Sequence, residues 1–445
     1  MSKLLIKNGT IVTMNKGREI LKGDILIEGD EIKEVGGSLT IEADHTIDAT
    51  GRVVIPGLIQ SHIHLTQTLY RGQADDMELM DWLKKRVWPL EGSHTSESNH
   101  ISAKLGIAEL IKGGNTSIID MESVHHTEAA IEAIYESGIR AITGKCMMDY
   151  GAGVPKVLME STEDSIKVSI RILKKWHGKG NGRIQYAFAP RFVVSCTEEL
   201  LIKVRDLAKE YNVGVHTHAS ENRGEIEIVQ KDRGMRNITY LHKLGLTGPN
   251  LILAHCIWLD DEEMKILAET GTHIVHCPNS NMKLASGIAK IPELMEMGVN
   301  VGIGIDGAPC NNNLDMFKEM SSAALIQKAR LLSPTVMPAN KVFEMATLNG
   351  AKALGMEDKV GSLEVGKKAD LAIVNLDNLH STPSVEVDVI SQLVYSAKAS
   401  DVETTIIDGK VVMENRELVT LNEKYIKAEA NRLIKQQIDL AGVKK

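Results

Sequence analysis

A (β/α)8 barrel, an α/β fold, carrying a small β module made from both chain ends is predicted by two patterns and one placement. From about Pro56 to about Gly355, short apolar runs alternate with longer stretches of helical period. Short strands with tight turns precede this region and return after it. Within it, histidines and acids fall at the C-terminal ends of apolar runs, the end where such barrels carry functional side chains.

In chain order, Leu4-Leu5-Ile6 precedes a turn at Asn8-Gly9, then come Thr10–Met14, Asp24–Ile27 before Glu28-Gly29-Asp30, and Ile32–Val35. After Val53–Ile59 the apolar runs of this region are Thr116–Asp120, Arg140–Thr143, Gln185–Ala189, Gly214–His218, Leu251–His255, His273–His276 and Val299–Asp306, a rhythm of seven or eight units. A doubly wound sheet is the alternative, but no GxGxxG follows the first strand. Short strands return at Ala369–Asn375, Thr404–Ile407 and Val411–Met413, and 423–445 reads as a helix with a frayed basic end.

The chain has 445 residues, 43% hydrophobic and 25% charged, enough for a large packed core. Its 51 basic and 59 acidic residues leave a net charge of −8, a poor start for holding nucleic acid or an anionic membrane. Five scattered cysteines spell neither a disulfide framework nor a CxxC knuckle. No apolar run is long enough to span a bilayer, and Met1-Ser2-Lys3 leads straight into strand-like sequence. A cytoplasmic location is the expectation.

His62 and His64 follow Val53–Ile59 with one residue between them; in a strand both imidazoles leave the same face, about 7 Å apart. A lone HxH is weak evidence for a metal. It gains weight beside the other strand ends: His216 and His218 with Glu221 shortly after, His255, and Asp306. Imidazoles plus one carboxylate suit Zn²⁺, or Fe²⁺, better than Mg²⁺ or Ca²⁺. His125 and His126 read as loop residues, Lys84-Lys85-Arg86 as a solvated helix face, and the cysteines as small buried hydrophobes.

Six segments carry a resemblance that runs nearly end to end: Pro56–His64, His218–Glu221, Ala254–Cys256, His276–Asn281, Gly304–Ala308 and Val360–Asp370. The chain resembles the amidohydrolase superfamily, in its branch of cytosine, guanine and adenosine-type deaminases and s-triazine hydrolases. The resemblance implies a barrel over 56–357, a β-sandwich from 1–55 and 358–422, and a C-terminal helix over 423–445. It implies one metal on His62, His64, His218 and Asp306. Binuclear members place a bridging carboxylated lysine or glutamate at the end of the fourth strand, where this chain has Arg191, so a single Zn²⁺ (or Fe²⁺) is expected.

The resemblance also assigns chemistry. A metal lowers the pKa of water towards neutrality. Attack on an amino-bearing ring carbon moves electrons onto the adjacent ring nitrogen, where a protonated carboxyl must meet them. Glu221 is that proton shuttle by resemblance, Asp306 takes the water's proton and helps pass it to departing ammonia, and His255 orients the nucleophile. His216 is expected to face away from the metal or to play a structural part, and His276 to line the pocket or serve the HCPxSN segment.

For the substrate, Leu69–Asp76, Trp82-Leu83, Trp88–Glu91 and Ile305–Phe317 resemble deaminases of 5′-modified adenosines: 5′-deoxyadenosine, methylthioadenosine and S-adenosylhomocysteine. In that subgroup the carboxylate matching Glu91 accepts the ribose hydroxyls. Gly144–Asp149, Pro190-Arg191-Phe192 and Ser220–Glu225 look instead like guanine deaminase, whose arginine at the Arg191 position contacts the purine. Trp82 and Trp88 offer stacking faces for the base, with core packing as the alternative. The expectation is a 5′-modified adenosine deaminase, a homo-oligomer acting on a small-molecule nucleoside. Guanine deaminase, s-triazine hydrolysis and a metal-binding barrel without turnover are the alternatives.

Overall fold

The computed structural model describes residues 2–151 and 153–443. Positions 444 and 445 of the expected terminal helix, and Met1, lie outside it. Eight parallel strands, Leu58–Ile63, Asn115–Met121, Arg140–Gly144, Ile184–Pro190, Gly214–Ala219, Leu251–His255, His273–His276 and Val301–Ile303, run side by side in chain order. The ring closes where the Asp306 N–H donates to the His62 carbonyl at 2.9 Å and the Ile305 N–H to Gln60 Oε1 at 3.1 Å. The helices between the strands bury apolar faces on this ring; Thr162–Trp176, for example, seats Ile172, Leu173 and Trp176 in the main core.

Both chain ends meet in one mixed nine-stranded sheet. Its strands Lys3–Val12, Val53–Pro56 and Leu371–Val374 are neighbours, and Leu4, Ile6, Ile25, Ile27, Leu371, Ile373 and Ile406 share its own apolar core. The run Val53–Ile59 therefore divides: Val53–Pro56 belongs to the terminal sheet and Leu58–Ile63 to the barrel. Gly57 makes that junction, because a Cβ there would meet Thr116 Oγ1 at 2.1 Å. Asn8-Gly9 does not turn the chain. Lys3–Val12 is one strand with a register shift between Ile6 and Gly9, Asn8 sits at φ +61°, and its N–H donates to Asp24 Oδ1 at 2.8 Å. A bulge keeps the strand continuous where a turn signal stood. The terminal helix is Glu423–Ala441.

Barrel and sheet are locked by a buried ion cluster. Arg140, first residue of the third barrel strand, donates to both Asp370 oxygens at 2.7 and 2.9 Å and to Asp408 Oδ1 at 3.1 Å. Removing the guanidinium leaves two carboxylates unpaired in the interior. Arg140→Met is expected to lower unfolding free energy by about 3–5 kcal/mol; denaturant unfolding measures this, and a loss below about 1 kcal/mol, the range of exposed pairs, would contradict the lock.

Candidate active site

At the C-terminal mouth of the barrel, side chains from the first, fifth, sixth and eighth strands converge. His64 Nε2 lies 3.1 Å from His218 Nε2 and 3.5 Å from Asp306 Oδ1, and His62 Nε2 lies 3.4 Å from the same oxygen. The ligand atoms of His62, His64 and His218 lie within 4.8 Å of one another, as do those of His62, His255 and Asp306. These residues are buried. The alternation of the first strand put His62 and His64 together, and the parallel ring delivered the rest.

The protonation pattern shows what this cluster fits. His64 Nδ1 donates to the Met121 carbonyl at 2.8 Å and His218 Nδ1 to the Arg191 carbonyl at 2.6 Å. A carbonyl only accepts, so both Nδ1 atoms carry hydrogen and both Nε2 atoms of the neutral rings carry lone pairs. Burial keeps the rings neutral, driving His64 down to about 3 and His218 well below its ordinary value. Two lone pairs 3.1 Å apart repel unless a cation lies between them. His62 Nε2, also buried, has no hydrogen-bond partner among the described residues. Three imidazoles and a carboxylate arranged in this way fit a divalent cation of zinc type.

His216 belongs to this arrangement without joining the cluster: its Nε2 lies 2.9 Å from His62 Nδ1 and holds that ring's orientation. The first histidine of the second HxH pair thus supports a ring 154 positions away, which spacing alone does not disclose.

His255 and Glu221 stand beside the cluster. His255 Nε2 is 3.6 Å from Glu221 Oε2 and 3.8 Å from Asp306 Oδ2. Burial pushes the Glu221 carboxyl up to about 7, helped by the charges of Asp306 and Glu225 and opposed by His255. Burial works against charge on His255, but Glu221 and Asp306 outweigh it and raise its pKa. The backbone is strained here: His255 sits at φ +73° and Asp306 at φ +68°. The Glu221 N–H donates to Glu225 Oε2 at 2.8 Å, fixing the turn that carries it.

Above the cluster opens a narrow cleft. Leu79, Trp82, Leu83, Phe192 and Leu284 form its apolar walls. The first three come from the Leu79–Gly92 segment, which widens into a π-turn over Leu83–Val87 where the Trp88 N–H reaches back to the Leu83 carbonyl. The wide turn accommodates Pro89, which has no N–H to return to a regular helix. Trp82 lines the cleft, whereas Trp88 is packed in the core with Val87, Leu158 and Cys146.

The polar side wall holds the largest departure from the expected arrangement. Arg191 Nη1 and Nη2 donate to Glu91 Oε2 and Oε1 at 2.7 and 3.2 Å, and Gln67 Nε2 donates to Oε1 at 2.8 Å. Of the roughly four acceptor sites on a carboxylate, three are taken. Gln67 and Arg191 line the cleft, and Glu91 is buried against both of them. The sequence offers Glu91 and Arg191 as separate contacts, each from a different resemblance, and does not single out Gln67; the paired side chains lie 100 positions apart. Gly307 makes room for Gln67, since a Cβ there would meet Gln67 Oε1 at 1.9 Å. His125 and His126 are exposed loop residues, and all five cysteines are buried and free. Among the described residues no helix is long and apolar enough to cross a membrane.

The amidohydrolase family model matches residues 53–412. The chain is 42% identical over 434 residues to 5′-deoxyadenosine deaminase of Methanobrevibacter smithii, covering 97% of this chain and 98% of the relative. It is 41% identical over 436 residues to 5-methylthioadenosine/S-adenosylhomocysteine deaminase of Moorella thermoacetica, covering 97% and 99%. The crystal structure of an adenosine deaminase from Xanthomonas campestris with bound zinc superposes with a TM-score of 0.90 at 31% identity, covering 98% of each chain. A barrel ring closed at Asp306, a histidine–aspartate cluster at its mouth and a match over most of the chain's length lead to one assignment: this protein belongs to the amidohydrolase family.

Proposed function

We propose that the protein is a metal-dependent deaminase that converts the 6-amino group of a 5′-modified adenosine to the inosine analogue and ammonia. The observation that carries this reading is Glu221, a buried carboxyl raised to about 7, standing 3.6 Å from His255 beside the His62–His64–His218–Asp306 cluster. The substrates named for the similar proteins, 5′-deoxyadenosine, methylthioadenosine and S-adenosylhomocysteine, support the nucleoside class.

His62, His64, His218 and Asp306 would hold a single Zn²⁺, which when bound lowers the pKa of water and so supplies a nucleophile at neutral pH. The chain's own residues handle the protons. Glu221 carries a proton to the ring nitrogen next to the amino-bearing carbon, where the electron pair arrives as that carbon is attacked. Asp306 accepts a proton from the attacking water and passes it to the departing amine. His255 holds the nucleophile in line. Trp82 and its apolar neighbours cover the base and exclude bulk water. Gln67, Glu91 and Arg191 form the wall that receives the ribose hydroxyls.

The same reading divides the chain at Gly57, where the sheet strand Val53–Pro56 gives way to the barrel strand Leu58–Ile63, and at 357/358 and 422/423, and takes the protein to be a cytoplasmic homo-oligomer acting on a small molecule. Ammonia release from adenosine, 5′-deoxyadenosine, methylthioadenosine, S-adenosylhomocysteine, guanine, cytosine and melamine tests the substrate class. Highest kcat/KM on a 5′-modified adenosine is expected, and preference for guanine would overturn it. Glu91→Gln should lower kcat/KM for 5′-deoxyadenosine about 10–100-fold, the worth of a hydrogen bond to a charged group. It should cost much less on the 2′,3′-dideoxy analogue; equal losses on both would remove Glu91 from the sugar wall.

A further inference from the structure

The segment after the seventh barrel strand touches every residue assigned to proton handling. It consists of the short helix Pro278–Lys283 and the residues up to Ser286. Ser280 Oγ donates to Asp306 Oδ2 at 2.6 Å, His255 Nδ1 donates to Asn281 Oδ1 at 2.9 Å, and Ser286 Oγ lies 3.4 Å from Glu221 Oε1. Ser280, Asn281 and Ser286 are all buried.

The segment is itself tied down. The Ser286 N–H donates to the Asn281 carbonyl at 2.9 Å, and Trp258 Nε1 donates to the Ser286 carbonyl at 2.7 Å. Asn279 Nδ2 donates to Glu319 Oε1 at 2.6 Å. Asn311 Nδ2 donates to the same oxygen at 2.6 Å and to the Ile305 carbonyl at 2.9 Å, which links the segment to the strand end bearing Asp306.

We propose that this segment is a positioning strap: Asn281 fixes His255, Ser280 fixes Asp306, and Ser286 steers Glu221. The inference rests on the proton-handling roles assigned above. Its chemistry is directional. An amide oxygen can only accept, so Asn281 keeps hydrogen on His255 Nδ1 and leaves Nε2 facing Glu221 and Asp306. Ser280 occupies one Asp306 oxygen and aims the other, Oδ1, at His62 and His64.

The test uses whichever substrate the wild-type protein deaminates best, so that it does not depend on the substrate assignment. Asn281→Leu removes the acceptor, while Asn281→Asp keeps an acceptor of the same shape; Ser280→Ala and Ser280→Thr make the matching pair. Asn281→Leu and Ser280→Ala are expected to lower kcat about 10–100-fold, the usual cost of losing a supporting partner. KM should stay within a few-fold and zinc content unchanged, with Asn281→Asp and Ser280→Thr recovering much of the loss. Wild-type kcat in Asn281→Leu, or a fall that tracks lost zinc equally in all four variants, would overturn the strap. A wild-type preference for guanine would overturn the substrate assignment alone.

Discussion

Glu221→Gln is expected to lower kcat about 10²–10⁴-fold, the usual contribution of a positioned acid–base group, while zinc content and thermal stability stay close to wild type. Glutamine keeps the size of the side chain and an oxygen that can face Ser286, so packing at this buried position survives. What it loses is a proton that can come and go near neutral pH. The carboxyl is suited to that task because burial raises it to about 7, with Asp306 and Glu225 adding to the rise against the opposing charge of His255. Turnover within about tenfold of wild type, with the metal in place, lies below that range and would take the proton shuttle away from Glu221.

The strand ends were legible in the sequence because parallel barrels expose one end of every strand, and His62, His64, His218, His255 and Asp306 each close an apolar run. Alternation of period two in a strand makes His62 and His64 neighbours on one face. The terminal β module was legible from its turn signals, although Asn8-Gly9 became a bulge: Asp24, on the adjacent strand, captures the Asn8 N–H and holds the chain straight. Such a partner is invisible to local turn chemistry.

Long-range polar pairing was the part that sequence did not disclose. The sequence singles out Glu91 and Arg191 separately, but a bidentate pair between them depends on how the Leu79–Gly92 segment folds over the barrel, including the π-turn over Leu83–Val87. His216, Ser280 and Asn281 act on other residues rather than on a ligand directly. Their signal was present as motif membership, in the second HxH and in HCPxSN, but the motif names no partner. The Arg140–Asp370–Asp408 cluster joins the third barrel strand to a sheet made from the chain ends, and no local pattern foretells such a contact.

The largest effect of all belongs to metal removal. With Nδ1 of His64 and His218 committed to carbonyl oxygens, the two facing lone pairs have no proton to share, and a cation is what reconciles them. The decisive measurement is elemental analysis of the purified protein together with ammonia release before chelation, after chelation and after return of Zn²⁺. One zinc per chain, turnover abolished when it is stripped and regained when it is restored, is the predicted result. A chain that carries no divalent ion and deaminates at full rate after exhaustive chelation would contradict the account at its base.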